Sequence, residues 1–311
     1  MIFKRYLHRS LSYSPLVELA FSHFKPQEKN AQKPAILMLH GLFGCRKNFH
    51  FVGKALSSDL NTDVYSVDLR NHGQSPLAKP YDYITLTKDV IHFIERQMGP
   101  ETPVYIVGFS LGGRVGLLSS LSKKVNIKKC ISVDMPPYPL SSLDAVLVQN
   151  YNKMMEIETR TVKIRKGTRK WRDEVLKEFR NVPANKSNQV ALYFASGFLQ
   201  VKNNDREDKL SRDADEYINY SMPLLEMPDL FQKVMEWPDI TKLNRDEFSS
   251  VSRSRVLFMR ALKSPFISSD YSLLSKHYPN CTVEEFDTGH VLIGEAPKKF
   301  YQQTLAFCLD E

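Results

Sequence analysis

The sequence predicts an α/β protein: a mostly parallel central sheet with a helical cap inserted late in the chain. Three observations carry that prediction. Short β-branched apolar runs alternate with helix-patterned segments between residues 35 and 133, as βαβ units require. A Gly-x-Ser-x-Gly stretch, Gly108-Phe-Ser-Leu-Gly112, stands between a strand-like run and a helix-like run. The alternation then stops near Pro139 and resumes at Arg255.

Taken in order, residues 16–24 have strand character and lead into a polar loop through Lys33. Ala35-Ile-Leu-Met-Leu39 is an unbroken apolar run, as a strand buried on both faces should be, and it ends in His40-Gly-Leu-Phe-Gly44. Residues 49–60 suit a helix. Val64-Tyr-Ser-Val-Asp68 reads as the next strand, ending in Arg70-Asn-His-Gly-Gln-Ser75. Residues 85–98 form an amphipathic helix pattern, with Val90, Ile91, Phe93, Ile94 and Met98 at helical spacing. The run from Val104 closes on the Ser110 motif, and Arg114-Val-Gly-Leu-Leu-Ser-Ser-Leu121 continues as a helix. Lys129-Cys-Ile-Ser-Val133 is a further strand, ending in Asp134-Met-Pro-Pro137. Every motif so far lies at the carboxyl end of a strand, where parallel sheets bind ligands.

Residues 141–245 are helical in pattern and rich in charge, Met, Tyr and Trp. Strand character returns at Arg255-Val-Leu-Phe-Met259 and at Cys281–Phe286, which leads into Asp287-Thr-Gly-His290; a last helix spans Pro297–Leu309. The expected organisation is therefore a core of residues 16–140 and 246–311, interrupted by a cap of residues 141–245. Residues 1–15 stand apart. They carry Lys4, Arg5, His8 and Arg9 among apolar side chains and serines, with no acid before Glu18. That pattern resembles a mitochondrial targeting segment, and a secretory signal is excluded by the lack of a continuous apolar core.

At 311 residues, with 42% hydrophobic and 25% charged side chains, the chain has the composition of a globular protein with a large core. No apolar run approaches the roughly 20 residues of a membrane span, so no integral span is expected. The net charge of +8 would suit an anionic partner, but no recognised DNA or RNA module accompanies it, and nucleic acid is not the expected ligand. The four cysteines, Cys45, Cys130, Cys281 and Cys308, are widely spaced and read as reduced thiols.

The chemistry centres on Ser110. A strand that reverses into a helix within a few residues strains the backbone at the serine and leaves room only for small neighbours; Gly108 and Gly112 supply them. The hydroxyl needs a base oriented by an acid. His290, late in the chain and just past the last strand, is the expected base, while His40 and His72 are expected to shape their loops. Two backbone N–H groups should hold the developing oxyanion: that of Leu111, after the nucleophile, and most simply that of Leu42. For the acid, two positions are open. Asp270 follows the strand at 255–259 but at a distance, where it suits the cap of the Tyr271-Ser-Leu-Leu274 helix. Asp134 ends the strand beside the nucleophile's own and is the preferred candidate.

On these residues the chain resembles the α/β-hydrolase superfamily, in particular the subfamily of abhydrolase-domain protein 11 and the YbfF-type esterases, and most of all the yeast mitochondrial ethanol acetyltransferases. The likeness rests on His40-Gly-Leu-Phe-Gly44, Asp68-Leu-Arg-Asn-His-Gly-Gln-Ser75, Gly108-Phe-Ser-Leu-Gly-Gly113, Cys130-Ile-Ser-Val-Asp-Met-Pro-Pro-Tyr138, Tyr217-Ile-Asn-Tyr-Ser-Met-Pro-Leu224 and Thr288-Gly-His290. It implies Ser110 as nucleophile, Asp134 as acid and His290 as base. It further implies acetyl transfer from acetyl-CoA to ethanol, with hydrolysis of thioesters and short-chain esters when water is the acceptor. No cofactor and no metal are expected; acetyl-CoA is a substrate. A thioesterase or esterase without alcohol transfer is the competing enzyme, and a non-catalytic scaffold the competing binding protein. Oligomeric state is not readable. The basic residues Arg160, Lys163, Arg165, Lys166, Arg169, Lys170 and Arg172 form either a face that steers coenzyme A phosphates or a solvated basic helix.

Overall fold

The computed structural model describes residues 11–27, 33–199 and 217–310. Its strands are β1 (Ser12–Tyr13), β2 (Phe21–Phe24), β3 (Ala35–Leu39), β4 (Val64–Val67), β5 (Ala78–Lys79), β6 (Val104–Phe109), β7 (Ile127–Val133), β8 (Arg255–Ala261) and β9 (Cys281–Phe286). The helices of the core are α1 (His50–Leu60), α2 (Tyr83–Gln97) and α3 (Leu111–Ser119). Between β7 and β8 lie α4 (Ala145–Glu158), α5 (Trp171–Arg180), α6 (Asn188–Leu199) and α7 (Leu230–Met235). Two short helices, α8 (Ser272–Ser275) and α9 (Leu292–Glu295), precede the closing α10 (Pro297–Leu309).

Seven strands form one sheet in the order β2-β4-β3-β6-β7-β8-β9, and β1 pairs with β5 apart from it. All neighbours in the large sheet run parallel except β2, which is antiparallel to β4 at one edge. The chain leaves β3 for β4 on one side and returns to β6 on the other. The gap beyond the ends of β3 and β6 is thus a topological switch point, where such sheets open a crevice. His40 and Ser110 follow those two strands. Every residue of β3 and β4 is buried, which explains the uninterrupted apolar run of β3; Ser66 of β4 is satisfied by donating to the Arg46 carbonyl at 2.9 Å.

Two expectations need correction. Only Phe21–Phe24 of residues 16–24 is strand. The N–H groups of Val17 and Ala20 donate instead to Asp89 Oδ1 (2.9 Å) and Ser75 Oγ (2.9 Å), so side chains take the place of a ladder. The basic stretch is not one helix: residues 161–170 are turns and loop between α4 and α5, with Arg165 in an isolated bridge to Tyr217, and only Arg172 lies on a helix, α5. Arg160, two residues past the end of α4, is in the left-handed region (φ 63°), where a helix cannot continue. Its guanidinium folds back onto the Ile157 and Ile218 carbonyls at 3.0 and 3.1 Å. Of the expected targeting segment, residues 1–10 lie outside the described residues. From Ser12 onward the chain is held to the body: Ser12–Tyr13 pair with β5, and Arg70 Nη1 donates to the Ser14 carbonyl at 2.7 Å.

Arg70 is wholly buried and pairs with the equally buried Asp89 on α2 through two hydrogen bonds, of 2.7 and 2.8 Å. This fork-to-carboxylate geometry pins the loop after β4 to the helix behind it.

Candidate active site

Ser110 sits between β6 and α3 with φ 53° and ψ −119°. A non-glycine residue there costs roughly 1–3 kcal/mol, which the surrounding packing must offset. The packing is tight. A Cβ on Gly108 would lie 2.2 Å from the Gly112 carbonyl oxygen, and one on Gly112 would lie 2.3 Å from the Leu39 carbonyl oxygen. Neither site admits any other residue without moving backbone. The Ser110 N–H donates to the Val133 carbonyl at 2.9 Å, tying the turn to the end of β7.

Asp134 follows Val133 directly, also in the left-handed region (φ 50°). One carboxylate oxygen accepts from the Ala261 N–H (2.9 Å) at the end of β8; the other accepts from His290 Nδ1 (2.8 Å). His290 Nε2 lies 2.9 Å from Ser110 Oγ. With Nδ1 donating to a carboxylate, Nε2 carries the lone pair that accepts the serine hydroxyl. The imidazole lies between Phe109 (centroids 5.1 Å apart) and Phe266, which is edge-on at 4.6 Å. Serine, histidine and aspartate are at most 2% exposed, so the relay is shut away from bulk water. Asp270 is exposed and accepts from the Ser272 N–H at 3.0 Å in the turn that leads into α8, whose N-cap is Tyr271, so it is neither the expected cap nor part of this relay.

The loop after β3 lies against the nucleophile: a Cβ on Gly41 would stand 2.9 Å from Ser110 Cβ. Neither the Leu42 nor the Leu111 N–H donates to a backbone carbonyl outside regular structure among the described residues, which leaves both open for an oxyanion. The Gly41 carbonyl accepts from His40 Nδ1 (2.8 Å) and the Gly44 N–H (3.0 Å). His40 Nε2 in turn accepts from the Leu69 N–H at 2.9 Å, so this ring is a neutral tautomer locked at both nitrogens. Burial depresses its pKa to about 4. His72, whose Nδ1 donates to the Arg70 carbonyl (2.9 Å), is depressed to about 3 by burial and by neighbouring His40. Both histidines shape loops, as does Asp68, which accepts from the N–H groups of Arg46 (2.7 Å) and Gln74 (2.9 Å).

Sequence reasoning missed three contributors. Arg114, on α3 one turn past the nucleophile, is wholly buried; its guanidinium donates to the carbonyls of Pro136 (3.0 Å) and Tyr138 in the acid's loop and of Val234 (3.0 Å) and Glu236 (2.9 Å) in the cap. An arginine within an otherwise apolar helix was the available signal. Tyr193 and Tyr220 of the cap donate to the Leu42 and Phe43 carbonyls at 3.2 and 2.7 Å. Tyr220 lies in the Tyr217–Leu224 stretch that carries the family likeness, but nothing local gives either tyrosine this role, because their acceptors lie 151 and 177 residues away.

Among the described residues no cluster of three or more His, Cys, Asp or Glu side chains is placed to hold a metal ion. No helix among them is long and apolar enough to cross a membrane. None of the four cysteines is in a disulfide.

A parallel sheet carrying a strained serine at its switch point, with histidine and aspartate in line, defines a class, and the chain belongs to it: residues 34–297 match the family described as the alpha/beta hydrolase fold. Among its relatives, a protein of Wickerhamomyces anomalus named "Probable alcohol acetyltransferase" is 26% identical, with the alignment covering 94% of this chain and 86% of the relative. "Ethanol acetyltransferase 1" of Kluyveromyces lactis is 27% identical over 96% of this chain and 80% of its own. Of solved structures, a "Marine microorganism esterase" superposes with a TM-score of 0.71 at 21% identity, covering 94% of this chain and 99% of that one.

Proposed function

We propose that the chain is an alcohol O-acetyltransferase that makes ethyl acetate from acetyl-CoA and ethanol through an acetyl-Ser110 intermediate, and hydrolyses thioesters and short-chain esters when water is the acceptor. The observation that carries this reading is the buried relay from Asp134 through His290 to Ser110, at 2.8 and 2.9 Å, in a chain whose relatives, matched over 86% and 80% of their length, bear alcohol acetyltransferase names.

In the proposed reaction His290 Nε2 takes the hydroxyl proton as Ser110 Oγ attacks the thioester carbonyl. Asp134 holds Nδ1–H and stabilises the imidazolium. The Leu42 and Leu111 N–H groups receive the oxyanion. Collapse of the tetrahedral adduct breaks the carbon–sulfur bond, and coenzyme A leaves as a thiol with the proton from His290. Ethanol then gives its proton to Nε2 and attacks the acetyl-serine, and ethyl acetate leaves as Ser110 recovers its proton.

Incubation with acetyl-CoA and varied ethanol tests this, with ethyl acetate, acetate and free coenzyme A measured together. The ester-to-acetate ratio should rise in proportion to ethanol until alcohol binding saturates. Acetate forming with no ester at high ethanol would make the chain a thioesterase or esterase. No labelling of Ser110 by a fluorophosphonate would make it a scaffold.

Mitochondrial residence belongs to the same proposal and rests on the acid-free basic pattern of residues 1–15 alone. A fusion of those residues to a fluorescent protein should localise to mitochondria, and diffuse fluorescence would refute it. Lys163, Arg169 and Lys170 are exposed on the loop between α4 and α5, where they can attract the phosphates of coenzyme A.

A further inference from the structure

The oxyanion loop is held from the cap as well as from the core. Its donor, the Leu42 N–H, lies in the plane of the Gly41 carbonyl and points the opposite way, because the peptide is trans. Rotation of that plane, or of the next one along, would turn the donor away from Ser110. Three successive carbonyls are fixed: Gly41 by His40 and Gly44 within the core, Leu42 by the Tyr193 hydroxyl, and Phe43 by the Tyr220 hydroxyl. Phe43 is in the left-handed region (φ 67°), a conformation costing roughly 1–2 kcal/mol in a non-glycine residue. Its ring is packed among Tyr151, Phe194, Tyr220 and Phe231, all from the segment between β7 and β8.

Both tyrosines are themselves fixed. Tyr193 is 5% exposed and sits edge-on to Phe109, the residue before the nucleophile, at 5.5 Å. Tyr220 is 1% exposed, stacked edge-on to Phe198 at 4.8 Å, and its N–H donates to the Glu158 carboxylate at the end of α4. Burial pushes both phenols well above their ordinary pKa, so each remains a donor throughout the working pH range. A buried carbonyl deprived of its partner is costly enough to reorient.

We infer that Tyr193 and Tyr220 are positioning residues for the oxyanion hole: by holding the Leu42 and Phe43 carbonyls they aim the Leu42 N–H at the reacting carbonyl, so the cap completes the catalytic geometry as well as covering it. The inference rests on the reading of Ser110 as nucleophile and Leu42 as oxyanion donor; it is independent of whether ethanol or water is the acceptor. Neither hydroxyl touches the reacting atoms. Their effect is therefore on transition-state stabilisation, and ground-state binding is spared.

The test uses the full chain, 4-nitrophenyl acetate as substrate and a boronic acid as an inhibitor that forms a tetrahedral adduct on serine. Tyr193→Phe and Tyr220→Phe are measured separately, with Tyr151→Phe as control, since the Tyr151 ring also packs on Phe43. Each hydroxyl removed should lower kcat by about 10-fold to 100-fold, short of the full loss of an oxyanion donor, with KM within about twofold. Boronate affinity should fall by the same factor as kcat, and Tyr151→Phe should leave both unchanged. A lower melting temperature with unchanged kcat and boronate affinity would reduce the two tyrosines to packing and overturn the inference. Should Tyr220→Phe not fold, Tyr193→Phe decides alone. Esterase activity surviving in Ser110→Ala would sink the underlying site reading instead, and is told apart by that variant.

Discussion

Replacing Asp134 by asparagine tests the relay at its most constrained atom. The two carboxylate oxygens face two donors, the Ala261 N–H at 2.9 Å and His290 Nδ1–H at 2.8 Å. An asparagine offers one acceptor and one NH2 group to the same two sites. The Ala261 amide is part of the β8 backbone and cannot turn, so the asparagine oxygen is drawn to it and the NH2 group faces His290. Nδ1 must then become the acceptor and Nε2 the protonated nitrogen, which cannot accept from Ser110. The opposite flip sets NH2 against the buried Ala261 N–H, an unpaired donor costing about 1–3 kcal/mol. Loss of the correct tautomer in serine-protease triads costs about 10⁴-fold in turnover, or about 5 kcal/mol of barrier. Asp134→Asn should therefore fold, lose about that factor in 4-nitrophenyl acetate hydrolysis, and melt somewhat lower. Asp270→Asn, made in parallel, should keep full activity. Steady-state kinetics on both variants decides the matter: a fully active Asp134→Asn, or an inactive but folded Asp270→Asn, would refute the argument.

The other predictions follow from packing and burial. In Gly197→Ala the new Cβ would meet the Tyr220 ring at 2.3 Å, so kcat should fall in company with the Tyr220→Phe variant although position 197 touches no substrate; an unchanged kcat would show that the ring can yield. Asp89→Asn strands the buried Arg70 guanidinium and should cost about 3–5 kcal/mol in urea unfolding; a loss below 1 kcal/mol would mean the charge finds water. His40 and His72 are held neutral with pKa values of about 4 and about 3, against 6.5 when unfolded. The unfolded chain thus binds their protons first as pH falls. Stability should be full above pH 6.5 and should drop below it by about 1.4 kcal/mol per pH unit for each histidine. Thermal melts flat between pH 6.5 and 5 would contradict that burial, and His72→Phe should make the slope shallower.

The core was legible because its signals are local. The runs of β3 and β9 are bounded in the sequence where the strands are bounded in space, and the strained serine turn announces itself through the glycines it needs. The family and its fold follow from the same motifs. Residues 16–20 misled because apolar side chains mark a buried segment without saying what satisfies its backbone; here Asp89 and Ser75 do. The basic stretch misled because seven cations at mixed spacing look like a polar helix face, whereas the left-handed Arg160 just past α4 keeps the helix from continuing and only Arg172 lies on a helix, α5. The role of the cap tyrosines was illegible for a different reason, although Tyr220 lies in a stretch that carries the resemblance. A hydroxyl's value to the oxyanion loop depends on an acceptor more than a hundred residues away, and no periodicity encodes that.

The position of Asp134 has a consequence for how such a chain can change over generations. With the carboxylate delivered by β7, the segment after β8 carries no reacting atom. Its fixed duties are structural: the Leu262 and Lys263 N–H groups donate to the Phe286 and Thr288 carbonyls at 2.9 and 3.0 Å, Phe266 lies edge-on to His290, the Ile267 carbonyl accepts from Arg260 Nε at 3.1 Å, and the Tyr138 hydroxyl accepts from the Ser268 N–H and donates to the Phe266 carbonyl. Leu262, Lys263, Pro265, Ser268, Ser269 and Asp270 all face solvent. A lineage built this way can lengthen, shorten or recharge that rim without revisiting its chemistry. Drift and selection are then free to act on one edge of the site while the other, locked between two neighbouring strands, stays as it is.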